Sequence, residues 1–399
     1  QFSREFRLRN LVELGEKYKN PTCNMTIQRI IYAFGHRTLP LLANNSPVSA
    51  QAIRKMSASV LATESSDKGM IILNRPKALN AINLDMVRKI YKHLKKCETT
   101  KSLMIIKGTG EKAFCAGGDV RAVVESGPSE ESKSFFREEY TTNALIGNYT
   151  IPYIALIDGI TMGGGVGLSV HGKYRVATER TLFAMPETAI GLFPDVGGSY
   201  FLPRLQGKLG LYLGLTGVRL KGEDVFKAGI ATHYCESSKI AELETALLNC
   251  PDAEEVPEIL NKFNNPSPKP FVLEPHLDQI NKCFAGESVE EIIENLKSDG
   301  SEWATKTKEV LLKMSPTSLK VTFRQLELGA KLSLPQCLNM EYRIVVRHLE
   351  NSDFKEGVRA LLIDKDQKPQ WNPKTLEAVT EERVQSFFAK LPDTEELKL

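Results

Sequence analysis

The sequence predicts an α/β domain followed by an all-helical C-terminal extension. From Lys68 onward, short apolar runs of strand length alternate with segments of helical periodicity, which is typical of a sheet with much parallel pairing. Two glycine clusters, at 117–118 and 163–165, each follow a strand-like run and precede a helical segment. Beyond about Pro251 only helical patterns remain, so the last third of the chain is predicted to be helical.

We divide the chain into a leader (1–62), a core that holds the binding site (63–260) and a helical extension (261–399). Strands are predicted in the core at 70–73, 103–106, 153–157, 174–177 and 182–184. Asn83 can cap a helix whose apolar face holds Met86, Val87, Ile90, Tyr91 and Leu94. Further helices are predicted at 135–146, 290–296, 303–312, 318–328 and 338–348.

Composition excludes several classes of protein. Of the 399 residues, 42% are hydrophobic and 25% are charged, which is ordinary for a globular chain that buries a large core. No run of 18 apolar residues occurs, so no membrane span is expected. The net charge of +3 gives no electrostatic reason to bind nucleic acid. The seven cysteines contain no CxxC pair and the six histidines no HExxH motif, so we expect reduced thiols and no metal site.

The leader is basic and differs in composition from the rest of the chain. From Met25, a candidate initiator, to Thr63 there is no acidic residue, whereas the stretch contains Arg29, Arg37, Arg54 and Lys55. Segment 29–37 can form a short helix with one basic and one apolar face. This composition is typical of a mitochondrial transit peptide and predicts a protein of the mitochondrial matrix. The alternatives are a basic tail without a targeting role and, for residues 1–24, upstream sequence or another leader.

Four segments carry the chemistry of the core. They are NRPKALNA at 74–81, FCAGGD at 114–119, DGITMGGGVG at 158–167, and MPE at 185–187 followed by PDVGG at 194–198. Glycine lets a backbone approach a ligand without a Cβ in the way, and a helix N-terminus adds free N–H donors. Such donors stabilise the oxyanion of acyl transfer by typically ~3 kcal/mol each. The same glycines could instead serve only tight turns and close packing.

In this order the four segments resemble the crotonase (enoyl-CoA hydratase/isomerase) superfamily. The resemblance covers roughly Lys68 to the C-terminus and implies a spiral core of ββα units that acts on a CoA thioester. It places an oxyanion hole on the backbone N–H groups of Gly118 and Gly164 and a catalytic pair on Glu187 and Asp195. Glu139, in FFREEY at 135–140, matches a further acid that contacts substrate. No cofactor is expected, because CoA is part of the substrate.

The resemblance is closest to a thioester-hydrolysing branch of that family. The segments that match it include 158–172, 183–198, 314–320 and 356–371. Family hydratases use two glutamates, and the place of the first is Gly167 here. We therefore expect hydrolysis of a short β-hydroxyacyl-CoA. The alternatives are a hydratase or isomerase on the same fold, and a non-catalytic subunit of a larger assembly.

Several roles stay open at the level of sequence. Glu187 lies in a mostly apolar run, where burial raises a carboxyl pKa and favours a base or a nucleophile. Asp195 could bind the substrate hydroxyl, orient the acid and the water, or merely stabilise a turn. Glu139 could instead be a solvated helix charge. Family relatives commonly form trimers or pairs of trimers, so a homo-oligomer is possible.

Four other side chains near the motifs have less specific signals. Arg75 and Lys77 are candidate CoA contacts or ordinary exposed charges. His171 is interpreted as a packed or surface histidine, and Cys115 as a small buried filler rather than a nucleophile.

Overall fold

The strands form two sheets joined by repeated ββα units. In the computed structural model, which describes residues 58–65 and 67–399, the larger sheet has the order β1-β2-β3-β5-β7-β10 and the smaller one β4-β6-β8-β9. The strands are β1 (Val60–Ser65), β2 (Lys68–Leu73), β3 (Leu103–Gly108), β4 (Ala113–Cys115), β5 (Tyr153–Ile157), β6 (Ile160–Met162), β7 (Tyr174–Ala177), β8 (Leu182–Ala184), β9 (Leu220–Lys221) and β10 (His233–Tyr234).

Successive pairs of strands contribute one strand to each sheet. β3, β5 and β7 lie side by side and parallel in the larger sheet, and each is followed within a few residues by β4, β6 or β8 of the smaller sheet. β4, β6 and β8 are also parallel neighbours. Only β1 with β2 and β8 with β9 pair antiparallel among the described strands. This alternation is the ββα spiral that the resemblance implied.

Nine α-helices of the described chain accompany these strands or cover them. They are α1 (Leu84–Glu98), α2 (Val120–Ser126), α3 (Glu130–Gly147), α4 (Gly164–Gly167), α5 (Gly198–Phe201), α6 (Leu209–Thr216), α7 (Glu223–Lys227), α8 (Ile240–Leu248) and α9 (Val256–Phe263). Asn83 caps α1 as predicted, since its side chain accepts a hydrogen bond from the Met86 N–H at 3.1 Å. The predicted apolar face of α1 is buried except for Tyr91, which is exposed because it lies at the edge of that face.

Both faces of the larger sheet are covered. Ile71, Met104 and Ile106 belong to the main core, whereas their strand neighbours Leu103 and Ile105 pack in a second cluster with α8 and α9. Burial on two faces explains why these strands read as continuous apolar runs rather than as alternating ones. The predicted boundary at 260/261 falls inside α9, which packs on the sheet.

The C-terminal extension supplies helices that pack against the core. They are α10 (Leu277–Cys283), α11 (Val289–Asp299), α12 (Glu302–Leu311), α13 (Pro316–Gly329), α14 (Leu334–Glu350), α15 (Ser352–Val358) and α16 (Glu381–Phe388). α13 contacts α5, α14 contacts α3, and α15 contacts the turn Glu187–Ile190. The described residues therefore fall in one compact unit, with the extension against the segments that carry the predicted site residues.

The predicted elements agree closely with the structure. β5, β7 and β8 have the predicted bounds. The helix predicted at 303–312 is displaced by one residue from α12, and the other three predicted C-terminal helices lie inside the longer α11, α13 and α14. The leader prediction falls mostly on residues 1–57, outside the described residues. Its last part is corrected, because Val60 begins β1 and pairs with Leu73 in the core sheet.

The described part of the chain contains free thiols, and neither a metal-binding cluster nor a membrane-spanning helix is found in it. All six of its cysteines are buried free thiols, as expected. It contains no group of three or more His, Cys, Asp or Glu side chains placed to hold a metal ion. None of its helices is long and apolar enough to span a bilayer.

Candidate active site

The site forms where three neighbouring parallel strands end. Gly118 follows β4, Gly164 follows β6, and Glu187 follows β8. Because parallel strands point the same way, the loops after their carboxyl ends meet at one edge of the smaller sheet. The sequence motifs are more than 60 residues apart at their extremes, but the sheet order makes them neighbours.

Two backbone N–H groups are brought together by the glycine clusters. A Cβ placed on Gly164 would lie 3.3 Å from the Gly118 nitrogen, so the two loops nearly touch. Gly118 N–H and Gly164 N–H donate to no acceptor among the described residues, while their neighbours Ile82, Asp119 and Val166 are all used in backbone bonds. Gly117 with φ +111° and Gly163 with φ +45° turn the chain at each place. These free donors have the arrangement of an oxyanion hole.

Glu187 lies directly against this pair of loops. It begins a short 3-10 turn, Glu187–Ile190, and its side chain is only 5% exposed. Its Oε1 would be 2.9 Å from a Cβ on Gly163, the residue before the Gly164 donor. Oε2 has no hydrogen-bond partner among the described residues. Burial, and then the nearby Asp195 charge, raise the pKa of Glu187 well above its usual value.

Glu139 reaches the same place from α3. Its side chain is 2% exposed, so the alternative of a solvated helix charge is wrong. Oε1 would be 2.5 Å from a Cβ on Gly164 and has no hydrogen-bond partner in the described structure. Burial raises the pKa of Glu139 well above its usual value, and the charges of Asp195 and Glu187 raise it further.

Asp195 lies in the tight turn before α5. It is 5% exposed, and its Oδ2 accepts a hydrogen bond from the Tyr140 hydroxyl at 2.8 Å. The side chain does not cap α5, whose N-cap is Gly197. Burial raises the pKa of Asp195 to about 7, although the Tyr140 bond opposes this shift. Asp195 is thus more than a turn-forming residue, because a buried tyrosine fixes its carboxylate.

The three carboxylates line one cavity of about 400 Å³, together with Gly118 and Gly164. Much of its wall is apolar, with contributions from Phe135, Phe136, Leu192, Met314, Leu361 and Leu362. No ion pair reaches any of the three carboxylates within residues 58–65 and 67–399. Like charges in an apolar cavity cannot all ionise cheaply, so each carboxylate raises the pKa of its neighbours. All five predicted site residues therefore meet at this cavity.

Gly167 has no room for a side chain. A Cβ there would lie 2.6 Å from the Val196 Cβ and 2.8 Å from the Asn143 Nδ2. Real Cβ atoms essentially never approach a neighbour this closely. The position at which family hydratases were expected to carry a glutamate is filled by the turn that presents Asp195.

Some candidates have structural roles. Arg75 donates to the Ala81 carbonyl at 2.7 Å and pairs with Asp119 at 3.1 Å, so it ties two loops together rather than being an ordinary exposed charge. Lys77 is exposed beside it. Burial raises the pKa of Cys115 to about 12, which leaves it a protonated filler. The His171 Nε2–H donates to the Val196 carbonyl at 2.7 Å.

Sequence patterns did not identify two residues that hold the Asp195 turn in place, Tyr140 and Glu341. Tyr140, next to Glu139, holds Asp195. Glu341, in α14, is fully buried and accepts the Gly197 N–H at 2.7 Å. Tyr140 could have been found from its place in the FFREEY segment, whereas nothing local distinguishes Glu341 from other acids of a helix.

Comparison with known proteins agrees with this architecture. The family model described as enoyl-CoA hydratase/isomerase matches residues 68–388. The chain belongs to the enoyl-CoA hydratase/isomerase family, and its fold is the crotonase fold.

Within that family, the chain is similar to proteins that are named as hydrolases. It is 58% identical over 349 residues to the Xenopus tropicalis protein named 3-hydroxyisobutyryl-CoA hydrolase, mitochondrial. The aligned region covers 85% of this chain and 90% of the relative. The human protein of the same name is 56% identical over 333 residues, or 81% of this chain and 86% of the relative.

Solved structures in the family have other names. A carnitinyl-CoA dehydratase from Mycobacterium thermoresistibile has a TM-score of 0.79 at 38% identity. The aligned region covers 85% of this chain and 98% of the dehydratase chain. An enoyl-CoA hydratase from Rhodobacter sphaeroides has a TM-score of 0.77 at 34% identity. The aligned region covers 86% of this chain and 100% of the hydratase chain.

The closed space at Gly167 generates a test. We expect Gly167→Ala to lower the free energy of unfolding by about 2–3 kcal/mol, because the new methyl group overpacks Val196. Gly229→Ala is the control: no atom lies within 4 Å of its Cβ position, and only its φ of +79° is strained. That strain costs about 1 kcal/mol. Urea unfolding of both variants measures the difference, and equal losses would contradict the packing argument.

Proposed function

We propose that the chain hydrolyses the thioester of 3-hydroxyisobutyryl-CoA, releasing the free hydroxy acid and CoA, as a step of valine breakdown. One observation carries this proposal. Two free N–H donors face buried carboxylates with unpaired oxygens, while the position of the first hydratase glutamate is closed. The relatives at 56–58% identity have the name of this hydrolase. By the same chemistry we propose 3-hydroxypropionyl-CoA as a second substrate.

The thioester carbonyl oxygen binds at the Gly118 and Gly164 N–H groups. Negative charge grows on this oxygen when the carbonyl carbon becomes tetrahedral, so the two donors stabilise the transition state more than the ground state. Much of the cavity wall is apolar, which strengthens both hydrogen bonds relative to those in bulk water. Glycine is needed at 164 because a Cβ there would collide with Glu139.

Glu187 supplies the attack on the carbonyl carbon by one of two routes. In the first, a carboxylate oxygen bonds to the carbon, the C–S bond breaks, and water then hydrolyses the mixed anhydride. In the second, Glu187 takes a proton from water while the water oxygen bonds to the carbon, and the tetrahedral oxyanion then collapses, breaks the C–S bond and releases CoA thiolate. Both routes use the ionised form of Glu187, whose raised pKa makes it a stronger base or nucleophile. CoA thiolate is a good leaving group, so no strong general acid is required.

Asp195 recognises the β-hydroxyl of the substrate. Its Oδ2 is occupied by the Tyr140 hydroxyl, which leaves Oδ1 for a second donor. The Glu139 Oε1 is unpaired in the same cavity and offers a further acceptor. A thioester without the hydroxyl would leave these buried acceptors unsatisfied, and such a mismatch is costly.

The substrate and water supply every group that this reaction needs, so we propose no cofactor and no metal. CoA would lie along 74–81 and beside Asp119, where Lys77 is exposed and available to phosphate. The substrate is the only binding partner that we propose, with neither nucleic acid nor membrane involved. We place the protein in the mitochondrial matrix, since the hydrolase relatives are named mitochondrial. A homo-oligomer stays a prediction.

Hydration is the second candidate, because the two solved structures with the highest similarity reported above are named a dehydratase and a hydratase. Gly167 removes one of the two glutamates that the family resemblance assigns to that reaction. A test with crotonyl-CoA, whose absorbance is lost on hydration, separates the two candidates.

The proposed function predicts selective thiol release. The purified chain is given 3-hydroxyisobutyryl-CoA, 3-hydroxypropionyl-CoA, acetyl-CoA and crotonyl-CoA, and free CoA is followed with a thiol-reactive chromophore. We expect fast release from the two β-hydroxy thioesters and slow release from acetyl-CoA. Loss of crotonyl absorbance without thiol release would refute the proposal, and absence of any reaction would favour a non-catalytic subunit.

The site carboxylates predict a second result. Glu187→Gln and Asp195→Asn should each lower kcat/KM for 3-hydroxyisobutyryl-CoA by roughly 100- to 10,000-fold, because each removes a group that acts on the substrate. Glu138→Gln is the matched control on α3, since Glu138 is paired with Arg88 at 2.7 Å and is absent from the cavity wall. Unchanged turnover in both site variants would remove the mechanism.

Burial of Asp195 predicts a pH-dependent stability. Its pKa is about 7 in the folded chain against an ordinary value of 3.8, so between these values the folded form binds more protons than the unfolded form. Its stabilising contribution is present below this window and is lost as pH rises through it. We therefore expect Asp195→Asn to gain stability relative to the unsubstituted chain from about pH 4 to about pH 8 in urea unfolding. Exposed Asp278→Asn is the control, and a constant difference for Asp195→Asn would contradict the expectation.

A further inference from the structure

The turn that presents Asp195 is strained. Val196 has a φ of +51°, a region that a β-branched residue rarely adopts, and Gly197 follows with a φ of +83°. Such a conformation costs on the order of 1–3 kcal/mol and persists only where the surroundings impose it. The position of Asp195 therefore depends on whatever holds the backbone on either side of it.

The C-terminal extension holds this backbone on both sides. Before Asp195, the Gln325 side chain donates to the Pro194 carbonyl at 2.8 Å. After it, Glu341 accepts the Gly197 N–H at 2.7 Å on Oε2. Its Oε1 accepts both the Ser199 N–H at 2.9 Å and the Ser199 hydroxyl at 2.5 Å.

Helix α14, which carries Glu341, also supports Tyr140, whose hydroxyl donates to Asp195. Tyr140 meets Tyr342 edge-to-face, with ring centroids 6.5 Å apart and planes at 88°. Tyr342 directly follows Glu341 in α14, so one stretch of helix supports both the turn and the hydroxyl that bonds Asp195. Both tyrosines and Glu341 are at most 1% exposed.

A carboxylate is a costly group to bury for packing alone. Glu341 has no cation partner among the described residues, and burial raises its pKa to about 8 despite the bonds from Ser199 and Gly197. Three donors converge on it, and a carboxylate can accept all of them. A glutamine of the same shape would point its amide hydrogens toward at least one of these donors, so an acceptor at both oxygen positions matters as well as the size.

We propose that Glu341 is a positioning residue that fixes Asp195 toward the β-hydroxyl, and that the extension thereby sets the preference for β-hydroxyacyl thioesters. This inference rests on the proposed function, in which Asp195 recognises that hydroxyl. Glu341 does not line the cavity and acts through the turn. Its loss should therefore change selectivity, which a purely structural residue would leave unaltered.

The test compares two substrates in the full chain. For Glu341→Gln, we expect kcat for 3-hydroxypropionyl-CoA to fall about 10- to 100-fold, the effect of a displaced catalytic group. The slower hydrolysis of propionyl-CoA, which has no hydroxyl to place, should change by less than about threefold. The preference for the hydroxylated substrate thus collapses. An equal fall for both substrates, or an unchanged preference, would overturn the inference.

Controls separate positioning from stability and from the proposed function. Leu296→Ala removes a fully buried side chain of α11 away from the turn, and should lower the unfolding midpoint without altering the preference. If Glu341→Gln does not fold, Ser199→Ala decides, because it removes one donor to Glu341: a weakened preference supports the inference, and an intact one refutes it. An unsubstituted chain without any preference would refute the proposed function first, and the inference with it.

Discussion

Burial of three carboxylates around one apolar cavity is the constraint on which the rest of the structure depends. Glu139, Glu187 and Asp195 form no ion pair with any residue of the described structure, so each raises the cost of charging another. Unpaired buried oxygens also favour a ligand that brings hydrogen-bond donors. The cavity is thus unfavourable for the empty fold and, in the function proposed above, favourable for a hydroxylated substrate. The free energy that burial of these carboxylates costs must be offset by packing on both faces of the larger sheet and by the C-terminal helices.

The three carboxylates belong to segments that the fold must hold independently. Glu139 is on a long helix with its own core face, but Glu187 and Asp195 are on short turns. The extension stabilises the Glu187 turn as well: the Ser315 N–H donates to the Thr188 carbonyl at 3.2 Å. Gly191 packs so closely on the Asp353 backbone that a Cβ would lie 2.2 Å from its carbonyl oxygen. The extension thus contacts the backbone of both turns that carry the candidate site residues.

Local patterns in the sequence predicted the parts of this structure that depend on local physics. Continuous apolar runs indicated the buried strands, Asn83 indicated a helix start, and glycine clusters indicated where a ligand approaches the backbone. Tyr91 was placed on the buried face because periodicity does not resolve the edge of a helix face. Glu341 could not be found, since its partners Gly197 and Ser199 are more than 140 residues away and its own surroundings read as an ordinary amphipathic helix. The sequence shows glycine at 167 in place of the hydratase glutamate, but only the contact with Val196 in the structure explains why a side chain is excluded there.

The four superfamily motifs of the core end before residue 199, yet two side chains that hold the Asp195 turn, Gln325 and Glu341, lie in the last third of the chain. A reading frame interrupted between these motifs and the two side chains would still encode a product that contains all four motifs. Such a product lacks Gln325 and Glu341 and leaves an apolar cavity uncovered. For alternatively spliced or frameshifted transcripts of this gene, the integrity of the last third is therefore a better indicator of a working enzyme than the presence of the glycine and acid motifs.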